Sequence, residues 1–152
     1  MMICNLRPLV VALGLGFFAA LAHAQATPAG MWKTIDDDGK EETSLIRISE
    51  AGGVFTGRLE KLLRPGAKTD TVCDKCTDDR KDKPIVGMTL ISGVKQSESD
   101  KTRWDGGEIL DPNNGKTYKV RLTLGEAGKT LKVRGYIGTP MLGRTQTWLR
   151  AE

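Results

Sequence analysis

Short segments of alternating apolar and polar residues, separated by glycine-rich turns, run through most of this chain. The clearest of them is 118–124, in which every second residue is apolar or aromatic and the residues between them are Lys119, Arg121 and Thr123. A period of two residues is typical of a β-strand with one buried face. Sixteen glycines fall in residues 25–152, and no segment has a convincing helical period. The pattern therefore predicts an all-β protein.

The turn signals divide the chain into eight strand candidates, at 30–35, 43–49, 54–63, 85–94, 104–110, 118–124, 131–137 and 143–150. The segment at 85–94 has apolar residues at both odd and even positions, so both faces of the strand would be apolar, which predicts a well-buried strand. Most connections are short enough to be hairpins. We therefore predict one antiparallel up-and-down β-barrel of about eight strands, which leaves no exposed sheet edge. A two-sheet sandwich is the main alternative, but it needs longer crossovers.

The first 24 residues have the pattern of a signal peptide. Arg7 precedes an apolar run over 9–21, and Ala22-His23-Ala24 has the small-x-small form that signal peptidase cleaves. We expect cleavage after Ala24, a mature domain of residues 25–152, and a periplasmic or secreted location. Cys4 and His23, the only histidine, would leave with the signal peptide. No later segment is apolar for long enough to anchor the chain in a membrane.

Cys73 and Cys76 are the two cysteines of the expected mature chain, and they lie in a long polar segment at 64–83. In an oxidising compartment we expect them to form a disulfide that holds this loop. The alternative is a redox-active pair, because a Cys-x-x-Cys motif can lower a thiol pKa. Such motifs normally open a helix near a βαβ unit, which this sequence lacks.

Charge and motif content argue against several functional classes. Residues 25–152 contain 22 Lys and Arg against 19 Asp and Glu, distributed along the chain, whereas nucleic-acid binders more often cluster basic residues with aromatics. Zinc needs about four ligands, but residues 25–152 have no histidine and no second cysteine pair. The acidic turns fit hairpin chemistry better than a calcium-binding loop. We predict no metal, no cofactor and no enzymatic activity, although a carboxylate pair drawn from Asp105, Glu108 and Asp111 is not excluded by sequence.

Aromatic and polar residues at the two ends of the chain are the candidates for a binding site. Because the first and last strands of a closed barrel are neighbours, Trp32 can close one end under an arginine of the last strand, either Arg144 or Arg150. Arg144 and Gln146, if they face inward, would grip an acidic head group. The residues expected to bind a ligand or close the barrel are Trp32, Trp104, Tyr118, Tyr136, Arg144, Gln146 and Trp148.

Several stretches together resemble the bacterial family known as domain of unknown function 2147. They are 30–36, 73–81, 84–88, 106–112, 131–138 and 142–148. The resemblance implies a small exported protein similar to lipocalins, with a Gly-x-Trp opening at Gly30 and Trp32 and an arginine on the last strand. It implies no catalytic residues.

Two functions follow as hypotheses. The first is a non-catalytic barrel that binds a small hydrophobic or amphipathic ligand. The second is a thiol-redox or envelope-stress protein that uses the Cys73–Cys76 loop, with an envelope protein as its partner. Neither the identity of the ligand nor the oligomeric state follows from the sequence, and a barrel of this size is either hollow or filled by its own side chains.

Overall fold

The computed structural model describes residues 26–151, which form a closed barrel of eight antiparallel strands in sequence order. The strands are β1 (Gly30–Ile35), β2 (Glu42–Ala51), β3 (Val54–Leu62), β4 (Thr89–Gln96), β5 (Arg103–Asp111), β6 (Lys116–Gly125), β7 (Thr130–Tyr136) and β8 (Gly143–Arg150). A short 3-10 turn, Glu126–Gly128, joins β6 to β7. The predicted up-and-down barrel is confirmed. The predicted signal peptide, 1–24, lies outside the described residues.

The up-and-down order places alternate connections at opposite ends of the barrel. We call the end formed by residues 36–41, 63–88, 112–115 and 137–142 the mouth. The opposite end, formed by residues 52–53, 97–102 and 126–129 together with 26–29, is the floor. Each strand therefore runs between the two ends, and the position of a residue along its strand gives its depth in the barrel.

The inner faces of the strands supply the hydrophobic core, as the alternation predicts. Ile46 and Ile48 of β2, and Val120 and Leu122 of β6, are all at most 2% exposed. Gly106 and Gly107 interrupt the pairing of β5 with β6 as a bulge. Gly107 is required there because a Cβ at this position would lie 2.2 Å from the carbonyl oxygen of Ser92.

The fourth strand begins later than expected, and its predicted burial on both faces is wrong. β4 starts at Thr89 rather than at residue 85, and several of its residues are exposed. Gly87 has φ +87°, and Met88 donates its N–H to the carbonyl of Ile85 at 3.1 Å, so the chain turns before it pairs. Ile85 and Met88 are buried nevertheless, as parts of the loop that precedes the strand.

Candidate binding site at the mouth of the barrel

Trp32 and Arg150 close the floor. The residues are register partners on β1 and β8, and the Arg150 guanidinium carbon lies 4.2 Å from the centroid of the Trp32 ring. Arg150 also donates hydrogen bonds to three backbone carbonyls, those of Thr27, Ala29 and Gly128, at 2.7–2.9 Å. Burial lowers the pKa of Arg150 from its very high usual value. Of the two arginines that the sequence left open, Arg150 is the one that packs on Trp32.

The three tryptophans fill the lower barrel. Trp32, Trp104 and Trp148 are at most 3% exposed, and the Trp104 ring meets Phe55 edge-on at a centroid distance of 6.1 Å. The Trp32 indole N–H donates to the carbonyl of Pro28 at 2.7 Å. A side chain beside a water-sized void would keep accessible surface, and these keep almost none. The three residues therefore pack the interior rather than line a deep cavity.

The inner faces of β6 and β8 become more exposed toward the mouth. On β6, Leu122 is fully buried and Tyr118 is half-buried. On β8, Trp148 is buried, Gln146 is half-buried, and the Arg144 side chain is 60% exposed. This gradient defines a shallow recess above the packed core, which we call the mouth recess.

A relay of polar side chains links the core to the mouth recess. The Trp148 indole N–H donates to Oε1 of Gln146 at 3.2 Å, which leaves the Gln146 amide N–H groups to point outward. Gln146 Nε2 lies 3.4 Å from a carboxylate oxygen of Asp37, and Arg144 donates to the same oxygen. Arg144 and Gln146 thus converge on one carboxylate at the recess. Asp37 belongs to the β1–β2 turn, and sequence reasoning did not select it.

Gly135 and Tyr118 form the other side of the mouth recess. Gly135 is the register partner of Arg144, and its lack of a side chain leaves space beside the guanidinium. A Cβ there would lie 3.7 Å from Cγ2 of Ile109 and from Cβ of Tyr118. The Tyr118 hydroxyl accepts a hydrogen bond from Nδ2 of Asn114 at 3.0 Å, which fixes the ring. The recess is therefore apolar on one side and cationic on the other.

Hydroxyl groups replace apolar side chains above Trp32. Thr34 Oγ1 lies 2.6 Å from Thr43 Oγ1 and 2.6 Å from Ser44 Oγ, and Thr34 and Ser44 are buried register partners. These polar groups satisfy one another, so their burial costs little. The alternating pattern of β2 gave no signal for this cluster, because serine and threonine are common in strands that face solvent.

Tyr136 does not reach the barrel interior. The alternation of β7 places it on the outer face with Lys132 and Arg134, and its partner on β6 is Lys119. It is 9% exposed. Of the seven candidate residues, three fill the core, three lie at the mouth recess, and Tyr136 packs outside.

The long loop is anchored by a disulfide and by the β5–β6 turn. Cys73 and Cys76 are joined by a disulfide, and both are at most 2% exposed. The Cys73 sulfur lies 3.8 Å from the carbonyl oxygen of Pro112, and Arg80 donates to Oγ1 of Thr117 at 3.2 Å. The loop therefore packs on the β5–β6 hairpin at the mouth.

Two shallow cavities of about 350 and 330 Å³ lie side by side at the floor. Both are lined by Ala26, Ala127 and Gly128, and Arg150 lines the larger one. Within residues 26–151, no cluster of His, Cys, Asp and Glu is suited to hold a metal ion. The same part of the chain contains no helix that is long and apolar enough to cross a membrane.

A solved structure supports the fold. The structure described as "Protein HP1028 from the human pathogen Helicobacter pylori belongs to the lipocalin family" matches with a TM-score of 0.70 and 21% sequence identity, over 82% of each chain. At this identity the likeness concerns the fold alone. The protein is accordingly an all-β, closed eight-stranded barrel of the lipocalin-like type.

Sequence comparisons place the chain in a family. A search of curated proteins found no match. The model of the family described as "Uncharacterized protein conserved in bacteria (DUF2147)" matches residues 30–150, which include all eight strands from β1 to β8. The chain therefore belongs to the DUF2147 family.

Proposed function

We propose that this protein is an exported, non-catalytic binding protein that holds a small amphipathic ligand with an acidic group at the mouth recess. The observation that carries the proposal is the convergence of Arg144 and Gln146 on the Asp37 carboxylate, beside the half-buried Tyr118. The signal-peptide pattern of residues 1–24 supports export to the periplasm or the medium.

The Asp37 carboxylate occupies the position that a ligand carboxylate would take. Both ends of the Arg144–Asp37 pair are well exposed, at 60% and 66%. Such exposed ion pairs contribute at most about 1 kcal/mol. A ligand carboxylate would receive the same two donors and would also bury its apolar part against Tyr118 and Ile109, so it can displace Asp37.

The packed lower barrel limits the size of the ligand. Trp32, Trp104 and Trp148 occupy the volume that a hollow barrel would offer. The ligand would therefore lie above Trp148, with part of its surface exposed at the mouth. The interior of an eight-stranded barrel has room for its own side chains or for one small ligand, so a filled lower half leaves space for a ligand only above Trp148.

Two substitutions with opposite effects test the site. Arg144→Ala should weaken the binding of a medium-chain carboxylate such as decanoate by about tenfold, because it removes a charge-assisted hydrogen bond. Asp37→Asn should strengthen it, because the competing carboxylate is lost. Calorimetric titration measures both, and Arg47→Ala, on an exposed arginine outside the recess, is the control.

Native mass spectrometry of the protein isolated from its host would reveal a ligand acquired in the cell. A reproducible added mass that Arg144→Ala loses would support the proposal and identify the ligand class. A bare chain, together with no binding of decanoate and no effect of either substitution, would refute it.

The thiol-redox alternative is disfavoured by the burial of the disulfide. A reactive cysteine needs access to its partner, and both sulfur-bearing residues are at most 2% exposed. Titration against a glutathione buffer tests it: a redox-active pair would equilibrate within the glutathione range, whereas a structural disulfide would remain oxidised.

A further inference from the structure

We propose that the outer face of β6 and β7, together with the tip of the β7–β8 hairpin, is a docking surface for an anionic phospholipid bilayer. Its apolar part lies at the rim of the mouth, next to the mouth recess, but it shares no residue with that recess and does not depend on the proposed ligand. Three features of this surface support the proposal: an exposed apolar hairpin tip, the hydrogen bonds that hold the tip in place, and a basic strand face beside it.

The hairpin tip exposes three large apolar side chains. Ile137, Met141 and Leu142 are 66%, 87% and 75% exposed, and they lie within six residues of one another. Among residues 26–151, the other exposed large apolar residues are Val72 and Leu149, at 39% and 43%. We call Ile137, Met141 and Leu142 the apolar tip. Such a concentration of exposed apolar side chains marks an interaction site in a soluble domain.

The apolar tip is held in its exposed conformation by Arg134. This residue donates hydrogen bonds from Nε to the carbonyl of Pro140 at 2.5 Å, from Nη2 to the carbonyl of Met141 at 3.2 Å, and from Nη1 to Oγ1 of Thr145 at 2.7 Å. The hairpin is also closed by a hydrogen bond from Leu142 N–H to the carbonyl of Thr139 at 3.1 Å. The tip is therefore ordered in the conformation needed for insertion, which lowers the entropy cost of docking.

The neighbouring strands carry the net positive charge of the described residues. Residues 112–151 contain eight Lys and Arg and one acidic residue, Glu126, for a net charge of +7. Residues 26–111 contain 14 Lys and Arg and 17 Asp and Glu, for a net charge of −3. The two arginines of β8, Arg144 and Arg150, lie on its inner face, so the outward excess of positive charge belongs to β6, β7 and the turns beside them, on one side of the barrel.

Four of these cations lie on the outer faces of β6 and β7: Lys119, Arg121, Lys132 and Arg134. We call these four residues the basic face. Arg121 and Arg134 are direct register partners. Like charges opposite each other repel, and an anion above them would relieve that repulsion. Asp105, which pairs with Arg121 at 3.7 Å, and Glu108 border the face on the β5 side.

The combination favours a lipid surface over other anionic partners. Membrane-surface binding depends on buried apolar area together with attraction to anionic head groups, and this surface offers both side by side. A nucleic acid would use the basic face but would leave the apolar tip in water. The acidic β1–β2 turn, with Asp36, Asp37 and Asp38, lies at the same end of the barrel as the apolar tip, but across β8 from the basic face, and Asp37 is paired there with Arg144.

The test is vesicle cosedimentation of residues 25–152, which contain the whole described barrel. Vesicles with 30% phosphatidylglycerol in phosphatidylcholine should bind the protein, and vesicles of pure phosphatidylcholine should bind it at least tenfold less. Raising the salt concentration to 0.5 M should release it. Failure of the anionic vesicles to bind would overturn the proposal.

Matched double variants separate the two parts of the surface. Met141→Asp with Leu142→Asp, and Lys119→Glu with Lys132→Glu, should each reduce the bound fraction at least tenfold. The control is Lys61→Glu with Lys68→Glu, which makes the same charge change at exposed lysines elsewhere. All replaced side chains are exposed, so an unchanged near-ultraviolet circular dichroism spectrum verifies the fold.

Two further results would contradict lipid docking. If the control variant lost binding as strongly as the basic-face variant, attraction would come from overall charge rather than from this surface. If dextran sulfate bound as tightly as vesicles and the tip variant retained all binding, the surface would be a general polyanion site. Decanoate binding, measured in the same variants, reports independently on the mouth recess.

Discussion

Arg150 shows how much of the closed end depends on one side chain. Its guanidinium covers Trp32 and donates to three carbonyls that belong to two separate segments, the chain before β1 and the β6–β7 turn. Both segments have irregular backbone, so their carbonyls have no strand partner to replace the arginine. A planar group with several fixed donors is suited to this position, and lysine is not.

Replacing Arg150 should destabilise the whole barrel. We expect Arg150→Ala to lower the free energy of unfolding by about 3 kcal/mol, because it leaves partly buried carbonyls without donors. Arg150→Lys should recover only part of this. Urea unfolding followed by tryptophan fluorescence measures both. Arg47→Ala, which removes an exposed ion pair with Glu60, should cost less than about 1 kcal/mol. Equal costs for Arg150 and Arg47 would show that Arg150 does not hold the floor together.

Gly115 offers a second test at the scale of one residue. Its φ is +71°, and a Cβ there would lie 1.9 Å from the carbonyl oxygen of Lys75 in the disulfide loop. Gly115→Ala should therefore destabilise the protein by about 2–4 kcal/mol, from left-handed strain and a backbone collision. Gly39 has a similar φ of +74° but no atom within 4 Å of the added Cβ. Gly39→Ala should cost about 1 kcal/mol, from the strain alone. Thermal unfolding distinguishes the two variants. Equal losses of stability would show that the disulfide loop moves aside to accommodate the added methyl group.

The sequence predicted which strand residues face the barrel interior, but not which residues of other strands they contact. The alternation correctly placed Val120 and Leu122 inside, because period two follows from the pleat. It could not choose between Arg144 and Arg150, because residues six apart on a strand share a face. The choice is made by the register with β1, which pairs Trp32 with Arg150. Asp37 was missed for the same reason: its partner is 107 residues away in sequence.

At the scale of elements, the long loop is a structured part of the fold. A disulfide, an isolated bridge between Val72 and Pro84, and contacts with the β5–β6 turn hold it. Its buried apolar residues Ile85 and Met88 explain the error in the predicted β4 boundary. Hydrophobic side chains in a packed loop have the same sequence signature as a buried strand, and Gly87 was the one local signal that the chain turns there.

The loop should loosen in acid because of one ion pair. Arg80 donates from Nε to Oδ2 of Asp78 at 3.0 Å and to the other oxygen at 3.1 Å, and these hydrogen bonds lower the pKa of Asp78 to about 2. The pKa of aspartate in an unfolded chain is about 3.9. The contact therefore stabilises the fold fully above about pH 4 and loses its effect as the pH falls through 2.

Urea midpoints measured between pH 5 and pH 2 would test this dependence. The decline in the wild type should be steeper than in Asp78→Asn, which lacks the titrating carboxylate. Asp70→Asn, at an exposed aspartate of the same loop, should follow the wild-type curve. Parallel curves for the wild type and Asp78→Asn would refute the assignment.

At the scale of the whole molecule, strand order turns sequence-distant features into neighbours. The charges are distributed along the chain, so composition gave no sign of a basic surface. The barrel then sets the basic outer faces of β6 and β7 side by side, whereas residues 26–111 carry a net negative charge. Barrel closure was predictable from the eight short strands, whereas the distribution of charge around the barrel needed the register.

Closure also makes one seam of the barrel weaker than the others. β1 and β8 are joined by two register pairs, Trp32 with Arg150 and Lys33 with Leu149, whereas β7 and β8 are paired along their length. Above this seam, side chains rather than a strand ladder connect β8 to the β1–β2 turn, through Arg144 and Asp37. Local opening of a protein begins where few bonds must break together.

Hydrogen exchange should therefore be fastest at the seam. We expect the amides of Lys33 and Leu149 to exchange at least tenfold faster than those of Arg121 and Arg134, which lie in the middle of the β6–β7 ladder. Arg150→Ala should accelerate the seam amides further, because it removes the clamp at the floor, and should leave the ratio within β6–β7 unchanged. Uniform exchange rates across all four amides would mean that the barrel opens as one cooperative unit. In that case the side-chain clamp at Arg150 would compensate in full for the short ladder.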